Sequence, residues 1–215
     1  MRRREFITLL GGAAAAWPLS VYAEPRLPRV GVLLYARALP PADLPIAHEL
    51  ARMGHVDKRN ITYVIRAAED DPSRMSLLAG ELVAGKPDVI VAVSSWAALA
   101  LFDATHDIPV VMTQVGDPIA LGLTSSISHP TYNVTGFTNT SAALGVKRLE
   151  FLDEIVPSLH KVGHLWVPDN PVAASRSYNS QVQRATDALH IKLVSLPLKS
   201  YADIDAAFAL PNRSG

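Results

Sequence analysis

Arg29-Val30-Gly31-Val32-Leu33-Leu34-Tyr35 (RVGVLLY) is an almost unbroken apolar run. A strand with one wet face alternates polar and apolar residues, whereas a strand buried on both faces does not, and such strands belong to parallel sheets. The chain on either side supports that reading. A helical stretch from about Asp43 to Met53 follows, with Leu50 and Met53 on one face and Gly54 at its end. Ile61–Ile65 is a second strand, and Asp71-Pro72 pairs an N-cap with a proline suited to a first helical turn. Met75, Leu78 and Leu82 then form an apolar stripe, closed by Gly85 and Pro87. Asp88–Val93 is a third strand, Ser94 or Ser95 caps a helix to about Ala104, Pro109–Val115 is a fourth strand and Asn133–Phe137 a short fifth. A second series follows: helix 141–156, strand 161–167, helix 171–189, strand 191–196 and helix 202–210. Alternation of this kind predicts an α/β fold of two Rossmann-like lobes, with parallel sheets joined by right-handed crossovers. The boundary between lobes is expected near Thr138–Thr140, giving a first lobe of 24–138 and a second of 139–215.

Composition narrows the function. The 215 residues are 49% hydrophobic and 19% charged, enough apolar matter for a core and far from the signature of disorder. Twenty basic residues balance twenty acidic ones, so no global field draws the chain to nucleic acid or anionic lipid. Cysteine is absent, which removes disulfides, thiolate metal sites and cysteine nucleophiles together.

Residues 1–23 read as an export signal. Arg2-Arg3-Arg4 form a basic start, Phe6–Trp17 a short apolar stretch, and Val21-Tyr22-Ala23 a site of the kind a signal peptidase reads. Arg3-Arg4-Glu5-Phe6-Ile7 is similar to the twin-arginine export motif. The apolar run is short of the ~20 residues that span a bilayer. Cleavage after Ala23 and a periplasmic location are the expectation.

Enzyme signatures are poor. Gly80–Lys86 matches most of a phosphate-binding loop, but Pro87 replaces the hydroxyl residue and the segment leads from helix into strand, the wrong order. Neither a G-x-S-x-G elbow nor a G-x-G-x-x-G fingerprint occurs. His160 and His164 are four apart but do not share a helix, so they read as structural rather than metal ligands. No catalytic residue, metal or cofactor is expected.

In an open α/β sheet, ligands collect at the carboxyl ends of strands. That directs attention to the loops at Tyr35–Arg37, Ser94-Ser95, Gln114–Asp117 and Pro168–Asn170. Ser94 and Ser95, at a helix N-terminus, suit a carboxylate or simply cap the helix. Asp117 suits an ammonium group or caps the turn at Pro118. Tyr35 and Trp96 offer an aromatic wall, and Asp169 and Asn170 offer polar contacts or a helix cap. Together, Tyr35, Ser94, Ser95, Trp96, Gln114, Asp117, Asp169 and Asn170 form the candidate ligand-binding set, suited to a zwitterion such as an amino acid.

At several points the chain resembles a known family. Arg52-Met53-Gly54-His55-Val56 with Arg59-Asn60-Ile61 is similar to the "ELGYVEGRNI" segment of ABC-transporter substrate-binding proteins. Glu81-Leu82-Val83 with Lys86–Val91 is similar to their "ELVRLKPDVIV", and Val115–Pro118 and Asn133–Gly136 match "VGDP" and "NVTG". The spacing carries the resemblance over about residues 28–210, toward the tryptophan/tyrosine-type group. The resemblance implies a type I periplasmic binding protein, expected to be monomeric, that closes two lobes on a small solute and docks on a membrane permease. By position it implies ligand roles for Ser95, Asp117 and Asn170. Trp96 stands where the family usually has proline, and the chain stops at Gly215 where relatives continue. The second lobe is therefore expected to be incomplete and less stable than the first. The alternatives from other classes are an exported α/β enzyme, hydrolase-like, and a ligand-sensing domain.

Overall fold

A computed structural model describes residues 26–200 and 202–209. The expected leader, 1–23, lies outside them.

Five strands form one parallel sheet: β1 (Arg29–Leu34), β2 (Thr62–Ala67), β3 (Val89–Val93), β4 (Val110–Val115) and β5 (Val134–Thr138), in the order β2-β1-β3-β4-β5. Three helices cover it: α1 (Pro45–Arg52), α2 (Met75–Ala84) and α3 (Ser95–Ala104). The apolar run that announced β1 is buried on both sides, as its composition requires. Val30, Val32 and Leu34 pack with Leu44 and Ala47, beside α1. Leu33 points the other way, into a larger core with Leu78 and Leu82 of α2, Ile90 of β3 and Leu101 of α3. Leu33, Leu82, Ile90 and Leu101 are fully buried, each contributing about 1.5–3 kcal/mol of transfer free energy. Gly31 supplies the close approach between the layers, since a Cβ there would lie 3.2 Å from Ile90 and 3.3 Å from Leu82.

A second unit starts at Ser141. Its helices α4 (Ser141–Ile155) and α5 (Arg176–Ala188) accompany a two-stranded parallel sheet of β6 (Lys161–Trp166) and β7 (Lys192–Pro197), and α6 (Asp203–Ala209) follows. Leu149, Val182, Thr186 and Leu196 are buried there, while Phe151 and Ile155 of α4 remain exposed.

Two expectations need correction. The helix expected from Asp43 begins at Pro45, after a separate 3-10 turn at Pro41–Asp43. Its buried residue is Ala47, and Met53, beyond the last helical residue, is 73% exposed. The helix expected from Pro171 begins at Arg176. Asn170 caps only a short turn, its Oδ1 accepting from the N–H groups of Val172 and Ala173, and Ser175 in extended backbone restarts the chain as the cap of α5. Gly85 caps the C-terminus of α2 as expected, and the left-handed residue Lys86 (φ 48°) follows it. Among the described residues, no helix is long and apolar enough to cross a membrane.

Candidate functional site

The order β2-β1-β3-β4-β5 changes direction between β1 and β3. At such a switch point the loops leaving two adjacent strands part to opposite faces and open a crevice. Tyr35 leaves β1 there and Ser94-Ser95-Trp96 leaves β3. The Tyr35 and Trp96 rings stack with centroids 4.4 Å apart and planes within 9°. The Tyr35 hydroxyl donates to the Asp70 carbonyl, 3.0 Å, which ties the stack to the loop after β2.

Ser94 caps α3. Its Oγ accepts from the Ala97 N–H, leaving the first amides of the helix without intrahelical acceptors. Its backbone sits at φ 111°, ψ 165°, a region that glycine alone enters freely. Ser95 is buried, and its Oγ accepts from the Gly116 N–H, 3.3 Å, joining the loops after β3 and β4. Gln114, also left-handed at φ 58°, lies where the β4–β5 register shifts.

A cleft of about 380 Å³ lies between these loops and the second unit. Ser94, Ser95, Trp96, Gln114 and Asn170 line it, and Tyr35 flanks it through the stack on Trp96. Asp117 is not in the wall. Its Oδ1 accepts from the Ala120 N–H, 2.9 Å, and the residue borders a separate apolar depression beside Ile119 and Ala143. Asp169 is exposed and lines neither space.

Sequence reasoning missed the wall of the second unit. Arg148 from α4, His164 and Trp166 from β6 and Tyr178 from α5 all face the cleft. Trp166 could have been suspected from the end of its strand, but no local pattern marks Arg148 or Tyr178. The Trp166 indole N–H donates to Ser195 Oγ, 2.8 Å, which fixes the ring against β7. Tyr178 Oη and His164 Nε2 share a hydrogen bond of 3.2 Å. Burial holds the His164 imidazole below its ordinary pKa. Burial also raises the Tyr178 phenol, against the opposing pull of the Arg148 charge.

The His164 shift has a pH consequence. The unfolded imidazole takes its proton near 6.5 and the folded one at lower pH, so between the two the unfolded chain binds more protons. This contribution to stability is complete above 6.5 and falls as pH drops through that value. The loss of melting temperature between pH 7.5 and 5.5 is expected to be smaller in His164→Gln than in wild type. Equal losses would assign the effect to other groups.

A cleft between two parallel-sheet units, walled by strand-end loops, defines a small-molecule binding fold. The sequence profile described as ABC transporter substrate binding protein matches residues 42–212, and the chain belongs to that family. It is a family of substrate-binding proteins rather than of enzymes. The chain is 34% identical over 138 residues to the tyrosine-binding protein of Clostridioides difficile (strain R20291), spanning 64% of this chain and 36% of that protein. A conserved domain protein from Vibrio cholerae superposes with a TM-score of 0.75 at 26% identity, covering 88% of this chain and 64% of that one. An ABC domain from Streptococcus pneumonia in complex with L-Trp superposes with a TM-score of 0.71 at 22% identity, covering 87% of this chain and 63% of that one. The fold is that of the type I periplasmic binding proteins.

Proposed function

We propose that this chain is the solute-capturing part of an ABC importer, exported from the cytoplasm, and that its solute is an amino acid with an aromatic side chain. One observation carries the reading: the cleft has the volume of a single small-molecule site and receives aromatic rings from both units, Trp96 from one and Trp166 from the other. Ser94, Ser95, Gln114 and Asn170 add polar groups to the same wall. The names of the tyrosine-binding relative and of the L-Trp complex agree with this class. Closure of the two units on the solute would create the surface that a membrane permease recognises. Asp117, capping its own turn outside the wall, serves this site by shaping the Gly116 loop.

Thermal denaturation of the full chain with amino acids, purines and sugars tests the proposal. A solute at 100 times its Kd adds about 2.7 kcal/mol to stability. Saturable stabilisation by tyrosine or tryptophan, without chemical turnover, is the expected result. Stabilisation by sugars or purines alone would overturn it.

A further inference from the structure

The charge of the cleft wall is one-sided. Among the described residues that line it, Arg148 is the one lysine or arginine, and no aspartate or glutamate joins it. Arg148 has no carboxylate partner within its own helix. Its neighbours at three and four residues' distance are Leu144, Gly145, Phe151 and Leu152, none of them acidic. The four ion pairs among the described residues leave it out as well. Arg148 also borders an adjoining cavity of about 250 Å³ between α4, α5 and the β6–β7 sheet, and His164 and Tyr178 line both spaces. Three elements thus bring a guanidinium, a phenol and an imidazole to one edge of the cleft.

We propose that the cleft recognises its solute by a carboxylate, held by Arg148 and the Tyr178 hydroxyl, and that it requires no ammonium group. The solute class is then aromatic or apolar carboxylic acids, of which aromatic amino acids are one part. This rests on the reading above that an aromatic solute occupies this cleft.

The chemistry of each group fits the role. A guanidinium presents a planar fork that matches the two oxygens of a carboxylate. An imidazole with its proton on Nε2 donates to the Tyr178 oxygen, which leaves the phenol O–H for the solute. Burial keeps His164 uncharged at neutral pH, so it adds no second cation beside Arg148. His164 is a positioning residue here. An ammonium group would meet hydroxyls and amides but no carboxylate, because Asp117 is engaged with the Ala120 N–H outside the wall.

Titration calorimetry of the full chain with three pairs of probes tests this. The probes are L-tryptophan and L-tyrosine, their deaminated acids indole-3-propionate and 3-(4-hydroxyphenyl)propionate, and the decarboxylated amines tryptamine and tyramine. The acids are expected to bind within about ten-fold of the amino acids. The amines are expected to bind at least ~30-fold more weakly, the loss that follows from removing one partner of a charge pair that closure on the solute desolvates. Arg148 is exposed and joins no ion pair among the described residues, so Arg148→Gln should fold normally and should weaken acids and amino acids by ~30-fold while leaving the amines unchanged. Arg148→Lys, which keeps the charge without the fork, should fall between. Tyr178→Phe should cost roughly ten-fold. Amines that bind as well as the amino acids, or an Arg148→Gln variant with unchanged tryptophan affinity, would overturn the inference and leave the amino-acid reading standing. Acids that bind where amino acids do not would overturn that reading and support this inference. Silence from all six probes would overturn both.

Discussion

Gly136→Ala is expected to destabilise the chain by on the order of 3–5 kcal/mol and lower its melting temperature by roughly 10 °C. Gly136 sits in β5 at φ +138°, paired with Met112 of β4. A Cβ there would lie 2.0 Å from the Met112 carbonyl oxygen and 2.8 Å from its nitrogen. These are backbone atoms of the neighbouring strand, so no rotamer change relieves the overlap and the edge strand itself must move. Gly80→Ala, in α2, is the matched control. No atom lies within 4 Å of the added methyl group, and alanine should gain up to ~1 kcal/mol in helical propensity. Thermal and urea melts of both variants check the pair. A Gly136→Ala chain as stable as wild type would show that the β4–β5 pairing is not held at this register.

The second large effect is expected at Gly116, on binding rather than stability. Gly116 stands at a close contact between the two units. A Cβ would lie 2.5 Å from Ser141 Oγ at the start of α4 and 2.9 Å from a methyl carbon of Val172. Overpacking typically costs ~1–3 kcal/mol, and here the cost falls on the approach of one unit to the other. Gly116→Ala should therefore weaken solute binding by roughly 5- to 100-fold. The melting temperature of the solute-free chain should change less, because the units can separate to make room. Adding Val172→Ala should recover part of the affinity. An unchanged affinity in Gly116→Ala would show that the contact is not used when solute binds.

The seven strands among the described residues were legible because most are short apolar runs between turn residues, and their ends lie within two residues of the expected ones. Helix starts were less legible. Pro171 announces a helical turn equally well whether one turn or four follow, and only Ser175, in extended backbone, stops the first and begins the second. The strand-end rule led to Tyr35, Ser94, Ser95, Trp96, Gln114 and Asn170, because strand ends are local features that the fold gathers at one crevice. It passed over Arg148 and Tyr178. Their direction depends on how α4 and α5 face the first unit, which no local pattern encodes. Asp117 marks the limit of the rule from the other side. It sits one residue beyond Gly116, close enough to be named, yet its side chain turns back to the Ala120 N–H.

Ser94 carries a consequence for how this chain can change over generations. A non-glycine residue at φ 111° costs about 1–3 kcal/mol, a sizeable share of the 5–15 kcal/mol that holds a typical domain together. Ser94→Gly would recover that strain at the expense of one cap hydrogen bond to the Ala97 N–H. Lineages kept only for heat resistance would drift to glycine at this codon. Under the ligand role proposed for this loop, lineages kept for capturing solute would hold a hydroxyl at the mouth of α3 and carry the strain.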